Sequence, residues 1–213
     1  LLVNSRLGTY GKPVIAGEFA LSPAGDIQRE NDKAGIGFHN QIWASVFAGS
    51  FGTAMHWNWD SYLDRNDLYY HYKPLSDFLR YEDLRGAKTE NNIMTEEEAL
   101  YMSMTAGGKG YIWVKDRNYD YYQVLNGYQP KTVSGASVTL KMADGAYKAE
   151  FFDTYTGAKL SEADLTAANG SLNVAVPDFV KDVAVKITPA EQIYTAAALY
   201  RHLLTDDSAI SQS

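Results

Sequence analysis

The sequence predicts a mixed fold in which an α/β part precedes an all-β part. Up to about residue 90, apolar runs of strand length alternate with segments whose apolar residues recur every three or four positions. This alternation is typical of strand–helix units with parallel strand pairing. From about residue 99 the apolar residues recur every second position between turn signals, which is typical of an antiparallel β-sandwich.

The α/β part contains two predicted strands, each followed or preceded by a predicted helix. The strands cover about 13–17 and 53–57, and the helices cover about 32–48 and 73–83. The first helix carries apolar residues at three- and four-residue spacing, which predicts a buried face made of Phe38, Ile42, Trp43, Val46 and Phe47.

The all-β part contains a series of short predicted strands separated by glycine-containing turns. The predicted strands cover about 101–105, 110–114, 121–125, 137–140, 147–152, 172–176 and 183–187. The segment 89–98 is polar and acidic and is the predicted domain junction. We therefore expect a barrel-like domain over 1–92, a β-sandwich domain over 93–189 and a helical tail or linker over 190–213.

Composition excludes several classes of function. The formal charge is −7 and no basic stripe is present, which argues against nucleic acid and against a membrane as partner. The chain has no cysteine, so disulfides and thiolate metal sites are excluded. The acidic run at 60–67 lacks the spacing and the glycine of a calcium loop. We expect neither a metal nor a cofactor.

Two predicted strand ends bring chemically useful side chains together. The apolar run 14–16 ends in Gly17 and Glu18, and the second strand ends in the segment His56-Trp57-Asn58-Trp59-Asp60. Neighbouring parallel strands present their carboxyl ends at the same edge. A carboxylate can stabilise a developing cationic carbon, and indole faces can hold a pyranose ring. These strand ends therefore predict a site that cleaves sugars.

A resemblance to a known family is carried by three segments: KPVIAGEFA, HNQIWASVFAGSFGTAMHWNWD and YYHYKPLSDFLRYEDL. They resemble the last two β/α units of a clan-A retaining glycoside hydrolase, a (β/α)8 barrel such as the family 5 cellulases and mannanases. The segments YIWVKDRNYDYY and GAYKAEFFDTYTGAKL are similar to the small C-terminal sandwich of such enzymes. The resemblance implies a partial TIM barrel, strands 7 and 8 with their helices, followed by an antiparallel β-sandwich.

The resemblance implies roles for the residues at the strand ends. Glu18 matches the catalytic nucleophile at the end of strand 7, and Trp57 or Trp59 matches the tryptophan that floors the sugar subsite beside the scissile bond. The expected substrate-binding residues are Trp57, Trp59, His56, Phe19 and Asn58. Two alternatives stay open: Glu18 as a structural carboxylate that ends a strand, and His56 as a buried histidine.

Six of the eight expected barrel strands and the expected acid/base glutamate have no match in the sequence. A barrel of this kind has eight strands in about 250 residues, and two are found here. The acid/base glutamate of the family follows an asparagine at the end of strand 4, whereas Glu30 precedes Asn31. We expect the missing N-terminal barrel portion to be supplied by another segment or a second chain, and this fragment alone to be inactive.

The expected function is hydrolysis of β-glycosidic bonds in a polysaccharide by a secreted bacterial enzyme, because polymers cannot enter cells. The signal peptide is not in this chain. The alternative is a non-catalytic sandwich module with an inactive barrel fragment. That module would either bind glycan through an exposed Trp113 and the tyrosines of 119–122 or be a structural cap. Tyr119, Tyr121 and Tyr122 are otherwise predicted to be alternating strand residues.

Overall fold

The structure, a computed structural model, describes residues 12–20, 30–53, 55–94 and 98–190. Over these ranges the chain is a mixed helix and sheet fold with antiparallel sheets and one parallel strand pair, and they contain no closed barrel. The tail predicted over 190–213 lies outside the described residues from 191 onward. The division into domains at 92 and 93 stays a prediction.

The parallel strand pair predicted from the first apolar runs is present. Strands β1 (Glu18–Phe19) and β2 (Met55–His56) pair in parallel, with Glu18 opposite Met55 and Phe19 opposite His56. Backbone contacts extend the pair at both ends, from the Phe51 N–H to the Val14 carbonyl and from the Trp57 N–H to the Phe19 carbonyl, each at 2.8 Å. The paired residues of β1 follow the predicted strand 13–17, whereas those of β2 lie within the predicted strand 53–57.

Two helices confirm the helical periodicity of the sequence. Helix α1 covers Ile36–Phe47 and helix α2 covers Tyr72–Leu79. A π-helical turn over Trp59–Asp64 and a 3₁₀ turn over Tyr69–His71 connect β2 to α2. Helix α1 begins at residue 36 because the two carboxylate oxygens of Asp32 accept the N–H groups of Ile36 and Gly37, each at 2.7 Å.

The rest of the described chain forms two antiparallel sheets. The larger has six strands in the order β3-β4-β5-β10-β7-β8, and the smaller pairs β6 with β9. Their bounds are β3 Lys88–Met94, β4 Ala99–Ala106, β5 Lys109–Asp116, β6 Ser137–Lys141, β7 Gly145–Phe152, β8 Lys159–Ala167, β9 Ser171–Ala175 and β10 Asp182–Pro189.

In this part, one strand prediction is wrong and one strand was not predicted. The segment predicted as a strand over 121–125 is a short helix, α3 (Tyr121–Leu125), because the Asp120 side chain caps it by accepting the Gln123 N–H at 2.9 Å. The predicted junction 89–98 contains most of β3. Strand β8, an edge strand that is exposed along most of its length, is absent from the predicted strands, although Ala163, Leu165 and Ala167 alternate with polar residues and face the core.

The six-stranded sheet has an apolar core on each face. On one face, the core lies between the two sheets and includes Ile112, Phe151, Leu172, Val174 and Val185. On the other face, α1 and α2 pack against the sheet, and the core includes Phe47, Phe78, Tyr111, Trp43 and Trp113. Trp43 stacks on Trp113 with ring centroids 6.4 Å apart, which confirms the prediction that Trp43 is a core residue. The helical part and the sheet therefore share one core.

Glu82, in the loop after α2, ties the helical layer to the sheet. Its carboxylate accepts hydrogen bonds from Lys109 Nζ at 2.7 Å, Tyr111 OH at 2.7 Å and Lys186 Nζ at 2.8 Å. Burial alone would raise the pKa of Glu82, but these hydrogen bonds hold that pKa below its ordinary value. The loop after α2 is thus held by a largely buried, ionised carboxylate.

Replacing Glu82 by glutamine should lower the free energy of unfolding by about 1–3 kcal/mol, because two lysines then lose their charged acceptor in a buried setting. Urea denaturation measures the loss. The matched control is Glu162→Gln, since Glu162 bridges Lys148 and Lys159 on the exposed face. We expect a smaller loss for the control, and equal losses would contradict the role given to Glu82.

Candidate functional site

The candidate site lies at the carboxyl end of the parallel strand pair. Glu18 and its partner Met55 point to the same side of the pair, because residues paired in register on neighbouring strands share a face. Both side chains are exposed on that side. Trp57 and Trp59 follow the end of β2 and are 60% and 51% exposed. The structure therefore places a solvent-accessible carboxylate on the strand adjacent to the one that leads into two accessible indoles.

Phe19 and His56 lie on the opposite side of the pair, facing the helices. Phe19 packs on Phe38 of α1 with ring centroids 6.2 Å apart and meets His56 edge to face at 5.7 Å. The His56 ring is fully buried and lies 4.8 Å from the Tyr62 ring. This position matches the alternative in which His56 is a buried histidine, so His56 would act on a ligand only through its neighbours.

The turn that carries the two indoles is anchored on His56. The Asn58 N–H donates to His56 Nδ1 at 3.1 Å, so the ring proton of neutral His56 is on Nε2. Burial lowers the pKa of His56 to about 4, which keeps the ring neutral near pH 7. The side-chain oxygen of Asn58 is buried and has no hydrogen-bond partner among the described residues. Because this oxygen is closed to solvent, the substrate-binding role expected of Asn58 stays a prediction.

The strand pair also exposes large apolar side chains. Ile15 is 57% exposed, Phe51 is 70% exposed and Met55 is 42% exposed. Met55 lies on β2 opposite Glu18, whereas Ile15 and Phe51 precede the paired residues of the two strands. The pair therefore has exposed apolar side chains at both of its ends.

A cavity of about 740 Å³ opens at the other end of the strand pair. Its lining includes Pro13, Phe51 and Gly52, which precede the paired residues, together with Leu84 and Met104. Glu18, Trp57 and Trp59 are not among the residues that line this cavity, so the site predicted from the sequence and the cavity are separate.

Two of the rings that the glycan-binding alternative requires are buried. Trp113 is 1% exposed and Tyr119 is 6% exposed, so neither ring face is available to a sugar. Tyr122 is 59% exposed, but it lies on α3 rather than on a strand. The prediction that Trp113 and the tyrosines of 119–122 form a sugar platform is therefore wrong for Trp113 and Tyr119.

Sequence reasoning missed two polar contacts beneath the site. The Tyr62 hydroxyl donates to Asp32 Oδ2 at 2.8 Å, and His39 pairs with Asp182 at 2.8 Å. Asp32 carries a usable signal, since an aspartate just before an apolar periodic run is a helix cap. His39 and Asp182 carry none, because 143 positions separate them in the chain.

The described ranges contain no cluster of three or more histidine, cysteine, aspartate or glutamate residues placed to hold a metal ion. The acidic run at 60–67 makes local contacts instead, such as the Ser61 N–H donating to Asp60 Oδ1 at 2.7 Å. Within the same ranges, every helix is too short or too polar to cross a membrane.

Comparisons with known proteins give structural neighbours only. No family model matches the chain, and no curated protein matches it. A family 30 subfamily 8 xylanase from Clostridium acetobutylicum aligns at 13% identity and a TM-score of 0.48, over 86% of this chain and 44% of its own. A family 30 endoxylanase from Clostridium papyrosolvens aligns at 13% identity and a TM-score of 0.43, over 88% of this chain and 46% of its own.

A family 5 glycoside hydrolase from Bacteroides vulgatus aligns at 11% identity and a TM-score of 0.40, over 72% of this chain and 35% of its own. These structural neighbours are thus glycoside hydrolases, and this chain spans less than half the length of each of the three. At such identities and TM-scores the likeness carries no argument about the activity of this chain.

The buried histidines make the fold sensitive to acid. Burial lowers the pKa of both His56 and His71 to about 4, against about 6.5 in an unfolded chain. Between pH 6.5 and pH 4 the unfolded state binds these protons and the folded state does not. Stability is therefore complete above pH 6.5 and falls as the pH drops from 6.5 to 4, by roughly 3 kcal/mol in all for each histidine.

Chemical denaturation from pH 7 to pH 4 measures this loss of stability. In His71→Gln the fall should be smaller by the contribution of one histidine, since glutamine does not titrate. The control is Asp164→Asn, which changes an exposed side chain on β8. An equally steep fall in His71→Gln and in the unaltered protein would contradict the assignment.

Proposed function

We propose that this chain supplies the nucleophile half of a retaining glycoside hydrolase site, with Glu18 as the nucleophile and a β-linked oligo- or polysaccharide as the substrate. One observation carries the proposal: Glu18 is exposed at the end of a parallel strand whose neighbour leads directly into the exposed indoles of Trp57 and Trp59. The carboxylate and the sugar-stacking faces are then adjacent at one edge of the sheet.

In this proposal each side chain has a distinct part in the reaction. Glu18 attacks the anomeric carbon, while Trp57 and Trp59 stack on pyranose rings. Asn58 lies between the two indoles, and its N–H, which donates to His56 Nδ1, holds their turn in place. Phe19 and His56 support the strand ends from beneath.

A retaining site also needs a second carboxyl group about 5–5.5 Å from the nucleophile. We assign that acid/base group to the remaining barrel portion, as another segment or a second chain. The exposed Ile15, Phe51 and Met55 are the surface which that portion would cover. The enzyme would act outside the cell, where bacterial secretion brings it to a polymeric substrate.

The nucleophile can be tested without the missing acid. In a 2-deoxy-2-fluoro glycoside with a 2,4-dinitrophenolate leaving group, the bond from Glu18 to the anomeric carbon forms as the bond to the phenolate breaks. The phenolate leaves as an anion, so no acid is required, and fluorine slows hydrolysis of the ester. We expect the glucosyl or xylosyl probe to add one sugar to the peptide that contains Glu18, as seen by mass spectrometry.

Glu18→Gln should abolish this labelling because the amide is a poor nucleophile. Glu30→Gln is the matched control, since Glu30 is an exposed glutamate paired with Arg65, and it should label like the unaltered protein. A label on another residue, equal labelling of Glu18→Gln, or no label from either probe would each contradict the proposal.

The indoles should carry much of the sugar affinity. Trp57→Ala and Trp59→Ala should each weaken binding of cellohexaose or xylohexaose by about tenfold, because a lost ring stack removes about 1.4 kcal/mol. Isothermal titration calorimetry measures the change. Phe51→Ala removes an equally accessible ring at the other end of the strand pair and should leave affinity unchanged. Unchanged affinity in both tryptophan variants would contradict the stacking role.

A further inference from the structure

A series of buried polar contacts begins at Asp182 on β10. Its carboxylate accepts hydrogen bonds from Trp113 Nε1, Thr154 Oγ1 and His39 Nε2, each at 2.8 Å. Burial would raise the pKa of Asp182, but the positive charge of His39 and these hydrogen bonds lower it below its ordinary value. Asp182 is therefore an ionised acceptor shared by the sheet and helix α1.

The partners of His39 and His71 assign the protons on both rings. His71 Nε2 lies 3.1 Å from the carbonyl oxygen of Ala34, which only accepts, so this nitrogen carries a proton. Burial, and then the charge of His39, lower the pKa of His71 to about 4. At neutral pH its Nδ1 is therefore unprotonated and can accept a hydrogen bond. That Nδ1 lies 3.3 Å from His39 Nδ1. Each ring nitrogen of His39 is thus placed to donate to an acceptor, Asp182 Oδ2 on one side and His71 Nδ1 on the other.

The groups around the two rings are consistent with this assignment. Tyr155 stacks flat on His39 with centroids 4.0 Å apart, and Lys181 Nζ lies 4.6 Å from the centre of the Tyr155 ring. Tyr70 stacks on His71 at 4.2 Å. The charge of Lys181 opposes a second positive charge on His71, while Asp182 favours one less strongly than burial and His39 oppose it.

His71 in turn holds the segment that precedes α1. Gly35 has a φ of 71°, and a Cβ added there would lie 2.7 Å from His71 Nε2, so the backbone approaches the ring as closely as glycine allows. The Gly35 N–H donates to the Asp32 carbonyl at 3.1 Å, which closes the turn 32–35. The position of Asp32 is thereby linked to His71.

Asp32 completes the path to the candidate site. Its carboxylate caps α1 and accepts the Tyr62 hydroxyl at 2.8 Å. The Tyr62 ring packs on His56 at 4.8 Å, and His56 Nδ1 accepts the Asn58 N–H between the two indoles at 3.1 Å. Hydrogen bonds, one tight turn and one ring contact therefore connect the six-stranded sheet, through Asp182 on β10, to the turn 57–59.

We propose that Asp182, His39 and His71 are positioning residues through which the six-stranded sheet sets the placement of Trp57 and Trp59. The part that the two indoles play in catalysis rests on the proposed function. The positioning itself does not, because it follows from contacts that exist without substrate. In this view the sandwich is a structural element of the site rather than a separate sugar-binding module.

The test uses ¹⁹F NMR of protein labelled with 5-fluorotryptophan. The chain has 4 tryptophans, whose signals are assigned with single Trp→Phe variants. In Asp182→Asn, His39 loses its anionic partner, and we expect the signals of Trp57 and Trp59 to shift along with that of Trp113. Asp164→Asn makes the same charge change on an exposed side chain of β8 and should move none of them. A shift of Trp113 alone would overturn the proposal.

Two further measurements remain decisive if Asp182→Asn fails to fold. His71→Gln keeps a neutral side chain but breaks the contact with His39, and it should also move the signals of Trp57 and Trp59. In the unaltered protein at pH 7, ¹⁵N NMR should find His39 protonated on both ring nitrogens and His71 on Nε2 alone. Unmoved indole signals in His71→Gln, or a singly protonated His39, would overturn the proposal.

The two proposals fail in different ways. Without labelling of Glu18, the proposed function fails, while shifted indole signals still support the positioning role. With labelling of Glu18 but unmoved indole signals, the positioning role fails alone. If both hold, Asp182→Asn should slow labelling at low glycoside concentration by about tenfold, since misplaced binding groups reduce the effective alignment of the reactants.

Discussion

The buried carboxylate of Asp182 is the interaction on which the packing of the helices against the sheet depends. An ion taken out of water costs several kcal/mol unless its partners are all in place. Here those partners come from helix α1, from strand β5 and from the turn after β7, as His39, Trp113 and Thr154. The carboxylate therefore tolerates one relative placement of these elements, which the surrounding apolar contacts alone would not select.

The contrast between the two sides of the strand pair explains the character of the candidate site. On the helical side, Phe19 and His56 lie in a core with Phe38 and Tyr62, and the polar atoms there are joined through Asp32 to the rest of the network. On the other side, the structure leaves a carboxylate, two indoles and several aliphatic side chains in solvent. The exposed side chains are therefore carried by strand ends that the packed side holds in place.

Local patterns were sufficient for much of the fold. Helix α1 and most strands were predicted correctly from the three- and four-residue spacing and the alternation of their apolar residues. These periods arise because one face of each element is buried and the other is exposed to solvent. Edge strand β8 and helix α3 escaped prediction. Helix α3 has no buried residue, so its sequence carries no period, and the Asp120 cap defines it. Strand β8 alternates only in its second half, at Ala163, Leu165 and Ala167, and is defined by its pairing with β7.

The sequence by itself determined the residue types of the candidate site and their order along the chain: Glu18 after one apolar run, and Trp57, Asn58 and Trp59 after the next. Only the tertiary structure decided that the two segments pair side by side, which side of the strand pair each residue takes, and that His56 is buried. It also decided the pairing of His39 with Asp182. The physical reason is that hydrogen bonds and burial depend on partners distant in the chain, and local sequence does not encode which partners those are.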